Sequence, residues 1–355
     1  MGLRMMPANE QNGGRTDRVD RAVRRLQNQW SRADAPGASV LVLEGGEEVL
    51  GWSQGRADWE QGIGITLETN FRLASVTKQF TATAVLLLAE RGQLRLEDTL
   101  ADYFTELPAW GREIRVRHLL HHTSGLRDYE DLIPAGTTLP VFDLNVLQIL
   151  QREGTTYFPP GTQFRYSNTA YVFLALLVQQ VSGATFGRFL QHNIFGPLGM
   201  SGTVAYEPGI STVPRRAFGY SVGAAGEIER TDQSVTSAVL GDGGIYSSCR
   251  DLARWSRSWE RGGLLGSDFR ATALAPGEQT KHAGGVEYGC GWYLSAERGW
   301  RKVWHSGNTI GFTTRIERFP AAGLTLILLT NRNEETLAEV AKDLAALFLP
   351  ESGNP

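Results

Sequence analysis

The chain has 355 residues, 41% apolar and 21% charged, an ordinary composition for a globular protein with a substantial core in one large or two interlocked domains. Its 35 basic and 38 acidic side chains give a net charge of −3, which argues against nucleic acid or an anionic membrane as partner. Its two distant cysteines, Cys249 and Cys290, imply no disulfide framework, and no uncharged apolar run approaches the ~18 residues that span a bilayer. Met1 to Asp20 is polar, rich in Asn, Gln, Gly and Arg, and has no apolar signal region, so a cytoplasmic, reduced protein is expected.

Thr16 is positioned to cap a helix in which Val19, Ala22, Val23, Leu26 and Trp30 recur at helical spacing. Pro36-Gly37 ends it, and Ala38 to Leu43 reads as a β-branched strand. Glu44-Gly45-Gly46-Glu47 predicts a hairpin turn into a second strand, Glu48 to Ser53. Gly55 to Thr69 is a loop. It delivers the chain to Phe71–Leu88, where a polar Ser75-Val76-Thr77-Lys78 turn leads into a helix apolar enough to be buried on nearly all sides, ending at Arg91-Gly92.

From there to about Gly285 helices and long loops dominate: Val116 to His122, Leu144 to Arg152, Ala170 to Val181 ending at Gly183, and Phe186 to Ile194. Ser248-Cys249-Arg250-Asp251 is a capping box opening a helix through Trp259. Strands then return at Tyr288 to Ser295, Lys302 to His305, Phe312 to Phe319 and Leu324 to Thr330, with Pro320 to Gly323 as a turn. Glu334 to Phe348 closes the chain as an amphipathic helix.

Two early and about four late strands joined by short turns favour a single, mostly antiparallel sheet. The expected class is α+β, with terminal helices on one sheet face and a large, mainly helical insertion on the other. Residues 16–70 plus 286–350 would form a discontinuous sheet domain and 71–285 a helical domain, with the active site between them.

Three sites carry possible chemistry. Residues three apart share a helix face, so the Ser75 hydroxyl and the Lys78 amine meet at a helix start whose free N–H groups favour an anion. These are the parts of an activated serine nucleophile. Tyr166-Ser167-Asn168 follows Pro159-Pro160-Gly161 and precedes a helix, a rigid place for side chains. His305-Ser306-Gly307-Asn308 ends a short strand, where Gly307 would let a substrate backbone approach.

With these residues, S-x-x-K, Y-x-N and H-x-G in that order, the sequence resembles the serine β-lactamase and penicillin-binding protein superfamily, in its class C-like branch of lactamases, D-peptidases and esterases. Leu119 to Leu126 (LLHHTSGL) and Gly243 to Ser247 (GGIYS) add to the resemblance, which spans roughly residues 35 to 348. It implies the β-lactamase/transpeptidase-like fold, no metal and no cofactor. Ser75 would be acylated, Lys78 would share its proton, and Tyr166 would act as general base once a cationic neighbour lowers its phenol. Asn168 would bind Lys78 or the substrate amide, and the backbone N–H groups of Ser75 and Asn308 would form the oxyanion hole. His305 stands where lactamases of this branch carry lysine, and the resemblance gives it and Gly307 to substrate binding. The H-x-G form is similar to D-amino-acid peptidases, some D,D-peptidases and esterases. His305→Lys is then expected to raise affinity for carboxylate-bearing substrates.

The expected activity is hydrolysis of small esters or amides through an acyl-enzyme on Ser75. The alternatives are a β-lactamase, a D-amino-acid peptidase or D,D-carboxypeptidase, and a non-catalytic binding module; the oligomeric state is left open. Other patterns have plainer readings. Gly51 to Gly55 matches G-x-S-x-G, but a loop follows it, so Ser53 is a strand-end residue. His118, His121 and His122 have metal-like spacing without an accompanying glutamate. Cys249 packs at a helix start, a position that could lower its pKa. Tyr129, Phe158, Tyr246, Trp292 and Phe312 are core or pocket lining, and Asp128 or Tyr129 falls near a substrate-contacting position of class C-like relatives.

Overall fold

Ala38–Glu44 (β1) and Leu324–Thr330 (β7) are apolar on both sides of the pleat, which requires cover on both faces of the sheet they share. A computed structural model of the chain describes residues 8–350 except 224, 281–284 and 334–335, the side chains of 8–14 and 222 lying outside it. The remaining strands of this sheet are Glu47–Gln54 (β2), Glu287–Tyr288 (β3), Tyr293–Glu297 (β4), Trp300–Thr309 (β5) and Phe312–Phe319 (β6). Their order is β3-β4-β5-β6-β7-β1-β2, and every pairing is antiparallel. The early hairpin thus completes a sheet whose other strands come from the end of the chain.

The period of two divides β1 between two cores. Ala38, Val40 and Val42 join Leu326 and Leu328 in a cluster with Ala22 and Leu26 of helix Ala8–Gln29 (α1), Trp30 just after it, and Val340, Leu344 and Phe348 of Leu337–Phe348 (α5). Leu41 and Leu43 join Ile327 and Leu329 in the larger cluster with the central helices. These helices are Lys78–Glu90 (α2), Asn168–Ser182 (α3) and Cys249–Arg261 (α4). A one-residue register slip would exchange these faces, and each buried Leu or Val contributes roughly 1.5–3 kcal/mol, so the register is strongly held. The α+β class and the placement of terminal and central helices follow the sequence expectation.

Some boundaries differ. The first helix begins at Ala8, so Thr16 lies inside it; Gly13 and Gly14 lower helix propensity by about 1 kcal/mol each but no proline interrupts the run. The expected strand Tyr288 to Ser295 is a tight hairpin, because Gly289 and Gly291 turn the chain at its centre. A side chain at Gly289 would lie 2.4 Å from the Ala273 carbonyl oxygen, and Gly291 has φ +77°. Strand β5 runs to Thr309, so His305 sits in its middle rather than at its end. The start expected for the last helix, Glu334, lies outside the described residues. The Glu44–Glu47 hairpin and strands β6 and β7 match, with Gly45 and Gly46 at φ +58° and +80° as this tight turn requires.

Candidate active site

Ser75 sits on a single 3-10 turn, Ala74–Thr77, immediately before α2. Side chains three apart eclipse in this geometry, which brings Lys78 Nζ to 3.1 Å from Ser75 Oγ. The turn is fixed from several sides. Leu73 donates its N–H to Ile245, and Thr314 of β6 donates its hydroxyl to the Leu73 carbonyl (2.7 Å). Ala74 takes a left-handed φ of +48°, a strain of about 1–2 kcal/mol for a residue with a Cβ. Helix α2 is buried from Lys78 to Leu88, so it cannot shift without breaking the core.

Lys78 is fully buried and donates to Ser75 Oγ, to Asn168 Oδ1 (2.8 Å) and to the Asp242 carbonyl oxygen (2.9 Å). Burial lowers its pKa to about 8, and the carboxylates of Asp242, Asp128 and Glu130 oppose that shift only in part. The amine also lies 4.9 Å from the centre of the Tyr166 ring. Ser167 caps α3 by accepting the Ala170 N–H, and this holds Asn168, the first residue of the helix, toward Lys78. Asn168 Nδ2 donates to Glu130 (3.4 Å).

The Tyr166 hydroxyl is buried and has no hydrogen bond of normal geometry among the described residues. Burial raises its pKa well above that of an ordinary phenol, and adjacent Ser75 offsets this only in part. The expectation that cationic Lys78 would lower this phenol is thus overturned, because desolvation outweighs attraction at a buried site.

His305 is 1% exposed, with Nδ1 against the Ser306 carbonyl and Nε2 3.0 Å from the Tyr288 hydroxyl. Burial, then Lys78, lowers its pKa to about 3. Gly307 is tight against the protein itself, since a Cβ there would lie 2.1 Å from the Leu73 carbonyl oxygen and 2.5 Å from Thr314 Oγ1. Its smallness therefore seats the Ala74–Thr77 turn on β5, where the sequence suggested room for a substrate backbone. Asn308 is exposed, one residue further along β5.

These elements enclose an open cleft with about 340 Å³ of empty space, lined among others by Ser75, Asn168 and Asn308. Glu130, Asp242 and Arg72 also line it, and sequence reasoning did not select them. Asp242 directly precedes the Gly243-Gly244 phrase, which is the signal that could have found it. It is held by the Tyr129 hydroxyl (3.1 Å), and burial raises its pKa to about 6. Arg72 donates to the Gly243 and Ser237 carbonyls and ties this loop to the strand that leads into the Ser75 turn.

The remaining patterns resolve simply. Ser53 lies in β2 opposite Ser39, their hydroxyls 3.0 Å apart. His118 Nδ1 accepts the Arg115 N–H, His121 Nδ1 bonds the Arg117 carbonyl and His122 Nδ1 accepts the Ser167 N–H. Among the described residues no three His, Cys, Asp or Glu side chains converge as metal ligands would. Cys249 is buried, and desolvation pushes its thiol up to about 12, against the lowering a helix start could give. Tyr129 reaches the cleft, whereas Tyr246, Trp292, Phe312 and Phe158 are buried in the body of the protein. No single helix among the described residues is long and apolar enough to cross a bilayer.

The chain is 33% identical over 318 residues to a penicillin-binding protein of Bacillus subtilis, covering 85% of this chain and 70% of that protein. It is 31% identical over 348 residues to a D-aminopeptidase of Brucella anthropi, covering 94% of this chain but 62% of the relative, so it spans under two thirds of that protein. The octameric penicillin-binding protein homologue of Pyrococcus abyssi superposes with a TM-score of 0.81 at 25% identity, over 94% of this chain and 77% of that one. The Beta-lactamase family profile matches residues 19–349, and the chain belongs to that family.

Proposed function

We propose that the chain is a serine hydrolase that cleaves small carboxylic amides and esters through an acyl-enzyme on Ser75. The observation that carries this reading is the buried Lys78 amine, 3.1 Å from Ser75 Oγ with a pKa lowered to about 8. At pH 7 about one molecule in ten then holds Lys78 neutral and able to take a proton. Ser75 Oγ attacks the acyl carbon while its proton passes to Lys78. The phenol of Tyr166 donates its proton to the departing nitrogen or oxygen and is reprotonated from Lys78. Water then attacks the ester, and the same groups return the proton to Ser75. This assigns the base to Lys78 and the relay to Tyr166, as the raised phenol pKa requires. The backbone N–H groups of Ser75 and Asn308 are the proposed oxyanion donors, worth roughly 3–4 kcal/mol each.

Among substrates, acyl groups with a free amine fit best, because the exposed carboxylate of Glu130 lines the cleft with Asp242. This favours the D-aminopeptidase reading over the β-lactamase one, since a β-lactam or D,D-peptide carboxylate would meet like charge and His305 offers no cation. The polar triad of Ser75, Lys78 and Asn168 also favours catalysis over a binding module. Fluorophosphonate labelling of wild type but not of Ser75→Ala is expected, and equal labelling defeats the catalytic reading. Turnover of a D-alanyl amide and p-nitrophenyl acetate should exceed that of nitrocefin; the reverse order defeats the substrate assignment.

A further inference from the structure

His122 carries three costs that packing alone does not demand. Its backbone is left-handed (φ +58°), which glycine or asparagine adopts with less strain. It is fully buried, where leucine or phenylalanine would fill the space without a polar group. Its Nδ1 accepts the Ser167 N–H at 3.1 Å, so the neutral ring holds its proton on Nε2, which is buried with no hydrogen-bond partner among the described residues.

The contacts converge on one neighbour. The His122 carbonyl accepts the Arg165 N–H at 2.9 Å, and its ring accepts the Ser167 N–H. One residue thus holds the chain immediately before and after Tyr166. Its ring also lies against the Tyr166 ring, with centroids 4.4 Å apart and planes 37° apart. We propose that His122 is the positioning residue of Tyr166, clamping its backbone on both sides and its ring from one face so that the hydroxyl stays at Ser75.

The clamp works only with a neutral imidazole, because a proton on Nδ1 would oppose the Ser167 N–H. Burial, with Lys78, His305 and His121 nearby, keeps it neutral, while the Tyr166, Tyr171 and Tyr288 rings pack around it. The proposal rests on Tyr166 being the proton relay. The anchoring is distinct from the capping of α3, in which the Ser167 side chain accepts the Ala170 N–H.

The test is a kinetic cycle with D-alanyl p-nitroanilide, whose departing nitrogen must take a proton, on wild type, His122→Leu, His122→Asn, Tyr166→Phe and the His122→Leu/Tyr166→Phe double variant. His122→Leu should lower kcat about 100-fold with KM within about twofold, the size of effect expected when a reacting group is displaced by about 1 Å. His122→Asn tolerates the left-handed backbone and offers Oδ1 to the Ser167 N–H, so it should keep kcat within about tenfold of wild type. In the Tyr166→Phe background His122→Leu should cost less than about twofold more. Equal losses in both backgrounds overturn the proposal, as does an Asn variant as impaired as the Leu variant at equal Tm. Should His122→Leu fail to fold, His122→Gly against His122→Asn makes the same comparison, since both accept the backbone and only Asn supplies an acceptor. Full activity of Tyr166→Phe removes the relay and the clamp together. Activity of Ser75→Ala instead refutes the acyl-enzyme reading itself.

Discussion

The His305 imidazole accepts a hydrogen bond from the Tyr288 hydroxyl, 3.0 Å away, and is closed off from the cleft. Its Nδ1 lies 2.6 Å from the Ser306 carbonyl oxygen, which can only accept, so the ring proton is on Nδ1 and Nε2 is the acceptor. Tyr288 in turn packs edge-on against Tyr166, with centroids 6.4 Å apart, and against Tyr293. His305 thus bears on Tyr166 both through Tyr288 and directly, the His305 and Tyr166 ring centroids lying 6.2 Å apart.

This contact reverses the outcome expected from sequence for His305→Lys. A lysine there would put a second ammonium near Lys78 in a buried site and leave the Tyr288 hydroxyl without its acceptor. The predicted result is a loss of more than about 2 kcal/mol of stability. Differential scanning calorimetry should show a lower Tm, with no gain in affinity for carboxylate-bearing substrates. A stable variant with tighter carboxylate binding would show that position 305 does face the substrate.

In the proposed mechanism acylation needs neutral Lys78, so its rate should rise with pH and level off above about pH 8, the value to which burial lowers the amine. Stability follows a related sign. The folded pKa lies below the ordinary lysine value of 10.5, so between about 8 and 10.5 the unfolded chain holds more protons. The Lys78 contribution to stability therefore rises with pH across that window and is least favourable below it, where the amine is charged in both states. Burst kinetics of ester acylation would measure the first effect. A rate independent of pH between about 6 and 9 would remove Lys78 from the role of base.

The sheet was legible in the sequence where local chemistry decides it. Phe312–Phe319, Leu324–Thr330 and the Gly45-Gly46 hairpin follow from alternation, β-branching and turn residues, and the structure has them at the expected positions. Ser75 and Lys78 were legible for the same reason, because an i, i+3 contact is local. What was not legible depends on distant packing. Asp242 reaches Lys78 through its backbone, Glu130 through Asn168, and Gly307 is small because of Leu73, 234 positions earlier in the chain. Buried electrostatics were also misjudged. Proximity to Lys78 suggested an acidic phenol at Tyr166 and a helix start suggested an acidic thiol at Cys249, but desolvation dominates at both.

Gly307→Ala tests whether β5 seats the nucleophile turn. The added methyl meets a backbone carbonyl oxygen at 2.1 Å and the Thr314 hydroxyl at 2.5 Å, and the carbonyl belongs to the residue before Ala74. Relief requires β5 and the turn to part, which moves Ser75 relative to Asn308. The variant should lose roughly 1–3 kcal/mol of stability to overpacking and about 100-fold in kcat to misplacement. Urea unfolding and steady-state ester hydrolysis measure the two losses. Near-normal kcat in a folded Gly307→Ala protein would mean that this contact does not set the catalytic geometry.

Glu130→Gln addresses substrate charge without touching Ser75 or Lys78 directly. The carboxylate is exposed in the cleft and accepts the Asn168 amide at 3.4 Å, so a glutamine can keep the shape and lose the charge. For a D-alanyl p-nitroanilide with a free amine, KM should rise by up to about fivefold, the range for a solvent-screened ion pair near a surface. For p-nitrophenyl acetate, which has no amine, KM should be unchanged. Partial desolvation by the cleft walls and then the neighbouring Asp128 and Asp242 raise the Glu130 pKa, so in wild type the advantage of the amine substrate should fade as pH drops through that raised value. Comparing KM for the two substrates across pH, in both proteins, isolates the charge from the catalytic groups they share. Equal changes for both substrates would assign Glu130 to holding Asn168 and leave the preference for amines without support.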